Sequence, residues 1–137
     1  MPEMQDEDEM SVDEALPTEL DCTLGMIAHF LYVLPVVGIL GVLALWQWRG
    51  RESRFLDYQA RQAAWLQAGV WGVLIAVSLI FWVLGWFPFV GAVFRAVARP
   101  TIVLLWLGGL ALAVNAGLRV HQGVRYKYPF VSDLVSE

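Results

Sequence analysis

Three long apolar runs, nearly free of charge, constrain this sequence more than any other feature. Each is close to the roughly 20 residues that a helix needs to cross a hydrocarbon core about 30 Å thick. Hydrophobic residues make up 58% of the chain and charged residues only 16%, against about 25% charged in a soluble domain. We therefore expect an all-α membrane protein with three transmembrane helices, near residues 24–45, 65–87 and 101–118.

The segments between the runs have helical patterns of their own. Phe55, Tyr58 and Leu66 share a broad apolar face, which predicts a short amphipathic helix before the second span; a solvated turn is the alternative. Between the prolines that bound residues 88–100, apolar side chains recur at helical spacing, which predicts an interfacial helix before the third span. Within the first span, Pro35 is expected to kink the helix.

The two ends of the chain differ from its middle. Residues 1–22 carry nine of the thirteen acidic residues and few bulky apolar ones. They are predicted to form a disordered tail, and an acidic arm that binds a partner is the alternative. The transmembrane domain is expected over residues 23–131, followed by a C-terminal end at residues 132–137. No secretory signal is expected, because the start of the chain is acidic and lacks an apolar core.

Basic residues predict how the helices thread through the membrane. All nine follow Trp48, and three spans place two of them on one side and seven on the other. Positive residues in short loops stay in the cytoplasm, so we expect an inner-membrane protein with its N-terminus outside and its C-terminus in the cytoplasm. Four arginines in one polar segment are the expected orientation-setting residues: Arg49, Arg51, Arg54 and Arg61.

Three polar side chains within the predicted spans are the candidate functional residues, namely His29, Gln67 and Asn115. Ionisable residues inside a membrane are functional suspects, so His29 either handles a proton or ion or serves as a structural hydrogen-bonding group. Gln67 and Asn115 are predicted at similar depth. They are expected to bond each other across two helices, and a polar lining for a substrate path is the alternative.

Small residues recur every fourth position in the third span, at Gly109, Ala113 and Gly117. Such a stripe lets helices approach closely in lipid. The alternative is that it only reflects the composition of spanning helices. We expect it to be a helix-packing face.

No pattern in the sequence indicates catalysis. The single cysteine, Cys22, excludes an internal disulfide and a cysteine-rich metal site. Zinc-ligand spacings, phosphate loops and nucleophile motifs do not occur. No catalytic residue, metal or cofactor is therefore predicted, and enzyme activity is not expected.

Three segments together resemble a known family: AHFLYVLPVVG, FLDYQARQAAWLQ and NAGLRVHQGVRYKYPF. The chain looks like the small bacterial membrane proteins of domain of unknown function 4870. These are distantly similar to the chloroplast inner-envelope import component (Tic-twenty-like). The resemblance covers about residues 21–131, and it implies a helical membrane protein linked to protein translocation or to a channel.

Two functions are consistent with these features. The first is a subunit of a transport or protein-translocation assembly, which would need a homo-oligomer or other membrane proteins as partners because three spans cannot easily enclose a path. The alternative is a structural or accessory protein of a membrane complex without transport activity. The lipid bilayer is the expected environment in both cases, and nucleic-acid binding is not expected, because the arginines also have a role at the membrane.

Overall fold

A computed structural model describes residues 16–131, and every regular element in that range is helical. The predicted all-α class is confirmed. Residues 1–15 of the predicted acidic tail, and residues 132–137, lie outside the described range. The elements are α1 (Glu19–Phe30), a 3₁₀ turn (Leu31–Val33), α2 (Pro35–Arg49), α3 (Arg54–Leu84) and α4 (Gly91–His121).

The first helix begins inside the segment predicted to be a disordered tail. Thr18 and Asp21 form a capping box: the Thr18 hydroxyl accepts from the Asp21 N–H at 3.2 Å, and the Asp21 carboxylate accepts from the Thr18 N–H at 3.1 Å. This pairing satisfies two backbone donors that a helix start leaves open. Disorder up to residue 22 is therefore not what the described residues show, because residues 19–22 form the first turn of α1.

The first apolar run does not form one helix over residues 24–45. Pro35 has no N–H and disfavours continuation of α1, and it is the first residue of α2, a position that suits proline. Leu34 before it is extended, with φ −100° and ψ 114°, as expected for a residue that precedes proline. The predicted kink is in fact a full interruption, three 3₁₀ residues and one extended residue long.

The interruption reverses the chain. Along α1, Cys22 packs near Phe55 of α3, whereas the later carbonyl of Ala28 accepts a hydrogen bond from Gln67, so α1 runs in the same direction as α3. The contacts of α2 run the other way. Gly38 lies against the Gln67 side chain, whereas Trp46 near the end of α2 donates its indole N–H to the carboxylate of Asp57. Helices α1 and α2 therefore form a hairpin that enters and leaves at the same end of the molecule.

Only α3 and α4, of 31 residues each, are long and apolar enough to cross a membrane among the described helices. At 1.5 Å per residue, α1 and α2 are about 18 Å and 22 Å long, shorter than a hydrocarbon core of roughly 30 Å. Three spans are thus not supported. The apolar hairpin instead packs beside one half of the α3–α4 pair.

Because of the hairpin, the start of α1 and the segment after α4 lie at the same end of the molecule. Thr18 before α1, Arg54 at the start of α3 and Arg125 after α4 line one pocket of about 640 Å³. The α3–α4 connection, residues 85–90, lies at the opposite end. The described residues therefore do not support the expectation that the two ends of the chain lie on opposite sides, because Thr18 and Arg125 lie at the same end of the molecule.

The amphipathic helix and the interfacial helix that were predicted between the spans are the first parts of the longer helices α3 and α4. The amphipathic helix before the second span is the first part of α3, which begins after Ser53, whose hydroxyl accepts from the Leu56 N–H at 3.3 Å. Its apolar side packs against protein, with Phe55 and Tyr58 buried. The prediction of a separate interfacial helix over residues 88–100 is wrong, because α4 is continuous over Gly91–His121. Pro100 lies inside α4, which continues because a proline costs one backbone hydrogen bond that neighbouring groups in a membrane protein can offset.

The 3₁₀ turn and α1 pack against the small-residue stripe of α4. A Cβ atom on Gly109 would stand 2.2 Å from the Tyr32 hydroxyl oxygen, and one on Gly117 would stand 2.7 Å from a ring carbon of Phe30. Ala113 between them is buried. The three residues thus lie where the hairpin and α4 approach closely, and Tyr32 donates its hydroxyl to the Trp106 carbonyl at 3.1 Å across that contact.

The topology can be tested by cysteine labelling in a Cys22→Ala background. Cys22 is buried and its pKa is raised, mainly by desolvation and also by Asp21, so the native thiol is a poor target. Leu16→Cys and Phe130→Cys, both highly exposed, should react with an impermeant maleimide from the same side of the membrane. Phe89→Cys, 98% exposed, should react only from the other side. Labelling of the first two from opposite sides would contradict the hairpin.

Neighbouring glycines provide a matched test of the stripe. Gly109→Ala should lower stability by about 1–3 kcal/mol, because the new methyl overlaps the buried Tyr32 ring. Gly108→Ala meets nothing within 4 Å and should be neutral or stabilising by up to about 1 kcal/mol. Thermal unfolding in detergent, followed by circular dichroism, measures both. Equal effects would show that the stripe is not a close contact.

Candidate functional site: a buried histidine, tyrosine and glutamine network

The segment after α4 folds back over the helices and closes the end of the molecule that carries most of the charge. Gly123, with φ +79°, makes the turn in a backbone region that glycine enters without steric cost. The chain then runs to Tyr128 and Val131, which are buried in the same cluster as Tyr32 and Tyr58. This segment after α4, residues 122–131, is called the tail from here on, and it is part of the core.

His29 lies at the centre of a chain of hydrogen bonds under this segment. The Tyr128 hydroxyl lies 3.0 Å from His29 Nδ1, and His29 Nε2 lies 3.3 Å from Gln59 Oε1. Gln59 Nε2 in turn donates to the Tyr126 carbonyl at 3.4 Å. Because the amide oxygen can only accept, Nε2 carries the proton and Nδ1 accepts from the tyrosine. A neutral histidine therefore satisfies both of its neighbours.

A second glutamine connects the same segment to α3. Gln62 donates to the Tyr58 hydroxyl at 3.0 Å, and its Oε1 accepts from the Tyr128 N–H at 3.4 Å. The Tyr126 and Tyr128 rings meet edge-on, with centroids 5.0 Å apart. His29, Gln59 and Gln62 are each 0% exposed, and buried polar groups that are all paired fix a unique arrangement of their helices.

The network is chemically quiet. Burial, with a smaller contribution from Tyr126, raises the pKa of the Tyr128 phenol above its ordinary value, so the hydroxyl keeps its proton at physiological pH. Both nitrogens of His29 are already engaged. Among residues 16–131, no group of three or more histidine, cysteine or acidic side chains is placed to hold a metal ion. The arrangement suits a structural latch between α1, α3 and the tail.

Gln67 and Asn115 do not meet. Gln67 is buried and donates to the Ala28 carbonyl at 3.0 Å, which fastens α3 to the end of α1 just before the interruption. Asn115 lies on an exposed face of α4, 3.5 Å from the Tyr126 hydroxyl. The expected bond between the two amides is therefore absent, because the reversal of the hairpin places α1 beside Gln67.

The predicted orientation-setting arginines lie at the end of the molecule closed by the tail. Arg49 pairs with Glu52 at 3.4 Å, and Arg61 pairs with Asp57 at 2.6 Å. The Arg61 guanidinium also lies 5.8 Å from the centre of the Trp46 ring, while Arg51 and Arg54 are exposed. Their effect on orientation stays a prediction.

Sequence reasoning found His29 and Gln67 but missed Gln59, Gln62 and Tyr128 as site residues. A signal was present, since both glutamines lie on the α3 face that also buries Phe55, and two polar amides on an apolar face need partners. Their partners come from a tail nearly seventy positions away. Because these partners are so far apart in the sequence, local patterns could not predict the site.

Comparison with known proteins assigns the family. The model of the MamF/MmsF magnetosome magnetite crystal formation protein family matches residues 20–135, which is most of the chain. The chain belongs to this family. Its members are magnetosome membrane proteins involved in magnetite crystal formation. No curated protein and no solved structure matches the chain.

This family assignment corrects the resemblance drawn from sequence. The matching family is neither domain of unknown function 4870 nor the chloroplast import component. The segments behind that resemblance contain His29, Gln62 and Tyr128, which all belong to the buried network.

The network predicts a dependence of stability on Tyr128 and on pH. Tyr128→Phe should cost about 1–3 kcal/mol at neutral pH, because it leaves a buried histidine nitrogen without a donor. Free tyrosine ionises near pH 10. Since the folded-state pKa is raised, the stability from Tyr128 is fully present below that value and is lost as pH rises above it.

Thermal unfolding in detergent at pH 7 and between pH 9 and about 11.5 tests both parts, the range being set by the ordinary tyrosine pKa. The Tyr128→Phe variant should start lower and lose less with rising pH. Tyr126→Phe is the control at pH 7, because within residues 16–131 its hydroxyl has only the 3.5 Å contact with exposed Asn115. A Tyr128→Phe variant as stable as the parent would refute the latch.

Proposed function

We propose that this chain acts in the magnetosome membrane as an accessory protein of magnetite crystal formation, without transport activity of its own. The family match over residues 20–135 supports the process and the membrane. One structural observation supports the accessory role: two of the three polar side chains that could line a path, His29 and Gln67, are buried and hydrogen-bonded within the protein.

Transport through lipid has a structural requirement that His29 and Gln67 do not meet. Polar residues that guide a substrate through lipid must face a water-filled cavity or a bundle interior open to it. His29 is 0% exposed and Gln67 is 1% exposed, and both hold the hairpin against α3. A subunit of a transport assembly is the second candidate function, and it would require those contacts to open.

The distribution of charge supports an orientation. Seven basic residues lie in the segments at the hairpin's open end and in the tail after α4, whereas Arg95 and Arg99 lie at the opposite end. Because positive residues favour the cytoplasm, we place Thr18 and the segment after α4 there. The short connection over residues 85–90 then faces the magnetosome interior.

This orientation supports an indirect effect on the crystal. By this placement, every acidic side chain in the described part of the chain lies at the cytoplasmic end. Residues 85–90 consist of glycine, proline, valine and aromatic residues and carry no charge. The interior side therefore offers the mineral no carboxylate from these residues. We propose that the protein influences crystal formation through the lipid bilayer and through contacts with other membrane proteins or further copies of itself.

Complementation and flux measurements test the proposal together. In magnetite-forming cells that lack the chain, the parent should restore crystal size and number in electron micrographs and should fractionate with the magnetosome membrane. Purified protein in proteoliposomes should pass no iron above the level of empty vesicles. Crosslinking in native membranes should recover a membrane partner or a second copy.

The variants separate the two candidate functions. His29→Ala should weaken complementation only as far as it lowers the amount of folded protein, with Gly108→Ala as the folded control. Iron flux that His29→Ala abolishes without loss of fold would favour the transport assembly. Crystals that are unchanged by removal of the chain would refute a role in their formation.

A further inference from the structure

An open apolar groove runs between the halves of α3 and α4 that the α1–α2 hairpin does not cover. Its volume is about 800 Å³, and its walls include Trp71, Ile75, Trp82, Val103 and Trp106. From Trp71 to Trp82 it extends about 16 Å along α3. That is close to half of a hydrocarbon core roughly 30 Å thick, the depth of one leaflet.

The groove continues into a pocket that carries positive charge. This second pocket, of about 450 Å³, shares Ser78, Trp82 and Ile102 with the groove and adds Arg95 and Arg99 of α4. The two arginines are four residues apart and so lie on the same helix face. The apolar groove, about as deep as one leaflet, thus ends beside the guanidinium groups of Arg95 and Arg99.

The two arginines differ in their partners within the described part of the chain. Arg95 donates to the Gly85 carbonyl at the end of α3, which holds its guanidinium in place. Arg99 has no hydrogen bond or ion pair within residues 16–131, and its side chain is exposed. A cation at the edge of lipid gains most from an anionic headgroup.

A second groove shows why the free charge matters. Between α2 and α3, a groove of about 610 Å³ is lined by Leu43, Trp46 and Trp65 and also has an arginine, Arg61, in its wall. There Asp57 already neutralises the guanidinium at 2.6 Å. The two grooves are alike in apolar lining and differ in whether a protein carboxylate occupies the cation.

We propose that the α3–α4 groove binds an anionic phospholipid, with one acyl chain between Trp71 and Trp82 and the phosphate on Arg99. Arg95 supplies further positive charge beside the phosphate. The acyl chain covers apolar surface that no other part of the described chain covers, and the guanidinium gains a permanent counter-charge. The inference holds for either orientation of the protein in the membrane and does not depend on the proposed function.

Photocrosslinking with defined lipids tests the site. The full chain is placed in phosphatidylcholine vesicles that contain a small fraction of phosphatidylglycerol with a diazirine on its acyl chain. Labelled peptides should include residues 71–82 or 102–106, and the yield should exceed that of a phosphatidylcholine probe with the same diazirine. Arg99→Gln should reduce the phosphatidylglycerol yield about fivefold, since one surface arginine contributes on the order of 1 kcal/mol.

Two variants and one control complete the design. Ile102→Trp fills the junction of groove and pocket and should lower labelling by either probe. Arg51→Gln, an exposed arginine at the other end, should leave labelling of residues 71–82 unchanged. Circular dichroism confirms that each variant is folded, and an unfolded Arg99→Gln is replaced by Arg99→Lys, which keeps the charge and should retain most of the labelling.

Two results would overturn the proposal. Equal labelling by the two probes, unaffected by Arg99→Gln, would mean that the groove holds bulk lipid without selection for charge. No labelling of the groove, together with crosslinks from Ile75 to a second copy, would mean that the groove is a protein interface.

Discussion

The break at Pro35 is the constraint on which the rest of this architecture depends, because it divides an apolar run long enough for one helix into two short ones. Proline lacks an N–H and its ring crowds the preceding turn, and here the chain turns through the 3₁₀ segment and returns as α2, whereas α4 continues through Pro100. Irregular backbone in a membrane interior needs partners for its polar groups. Here the Leu34 N–H bonds the Leu31 carbonyl and the Gly38 N–H bonds the Leu34 carbonyl. Tyr32 on Gly109 and the bond from Gln67 to the Ala28 carbonyl fix the turn against the long helices.

The return of the chain creates the need that the buried network fulfils. It brings His29 into contact with α3 at the level of Gln59, away from water, and an unpaired polar group in that position would cost on the order of 1–3 kcal/mol. The tail after α4 meets this need, because Tyr128 supplies both a hydroxyl to His29 and an N–H to Gln62. Hairpin, long helices and tail thus become one cooperative unit at the charged end of the molecule.

The other end has a different character, and the contrast bears on function in the magnetosome membrane. Beyond the hairpin, α3 and α4 stand alone and expose apolar and tryptophan side chains to their surroundings. Buried polar groups in one half and an open apolar groove in the other are the features behind the accessory role proposed above. Such a role is consistent with a family whose members take part in magnetite crystal formation.

The sequence by itself determined the helical class, the membrane as solvent, the apolar runs within α3 and α4 and a distortion of the helix at Pro35, because these follow from local hydropathy and from the chemistry of single residues. It did not determine the number of spans, since three were predicted and only α3 and α4 among the described helices are long enough to cross a membrane. The stripe of Gly109, Ala113 and Gly117 was also visible as a pattern. Only the tertiary structure decided that the first run is a hairpin, that Pro100 lies within a helix and that the start of α1 and the tail share an end. These depend on which buried groups find partners, and the partners of His29 and Gln62 lie on Tyr128, far along the chain.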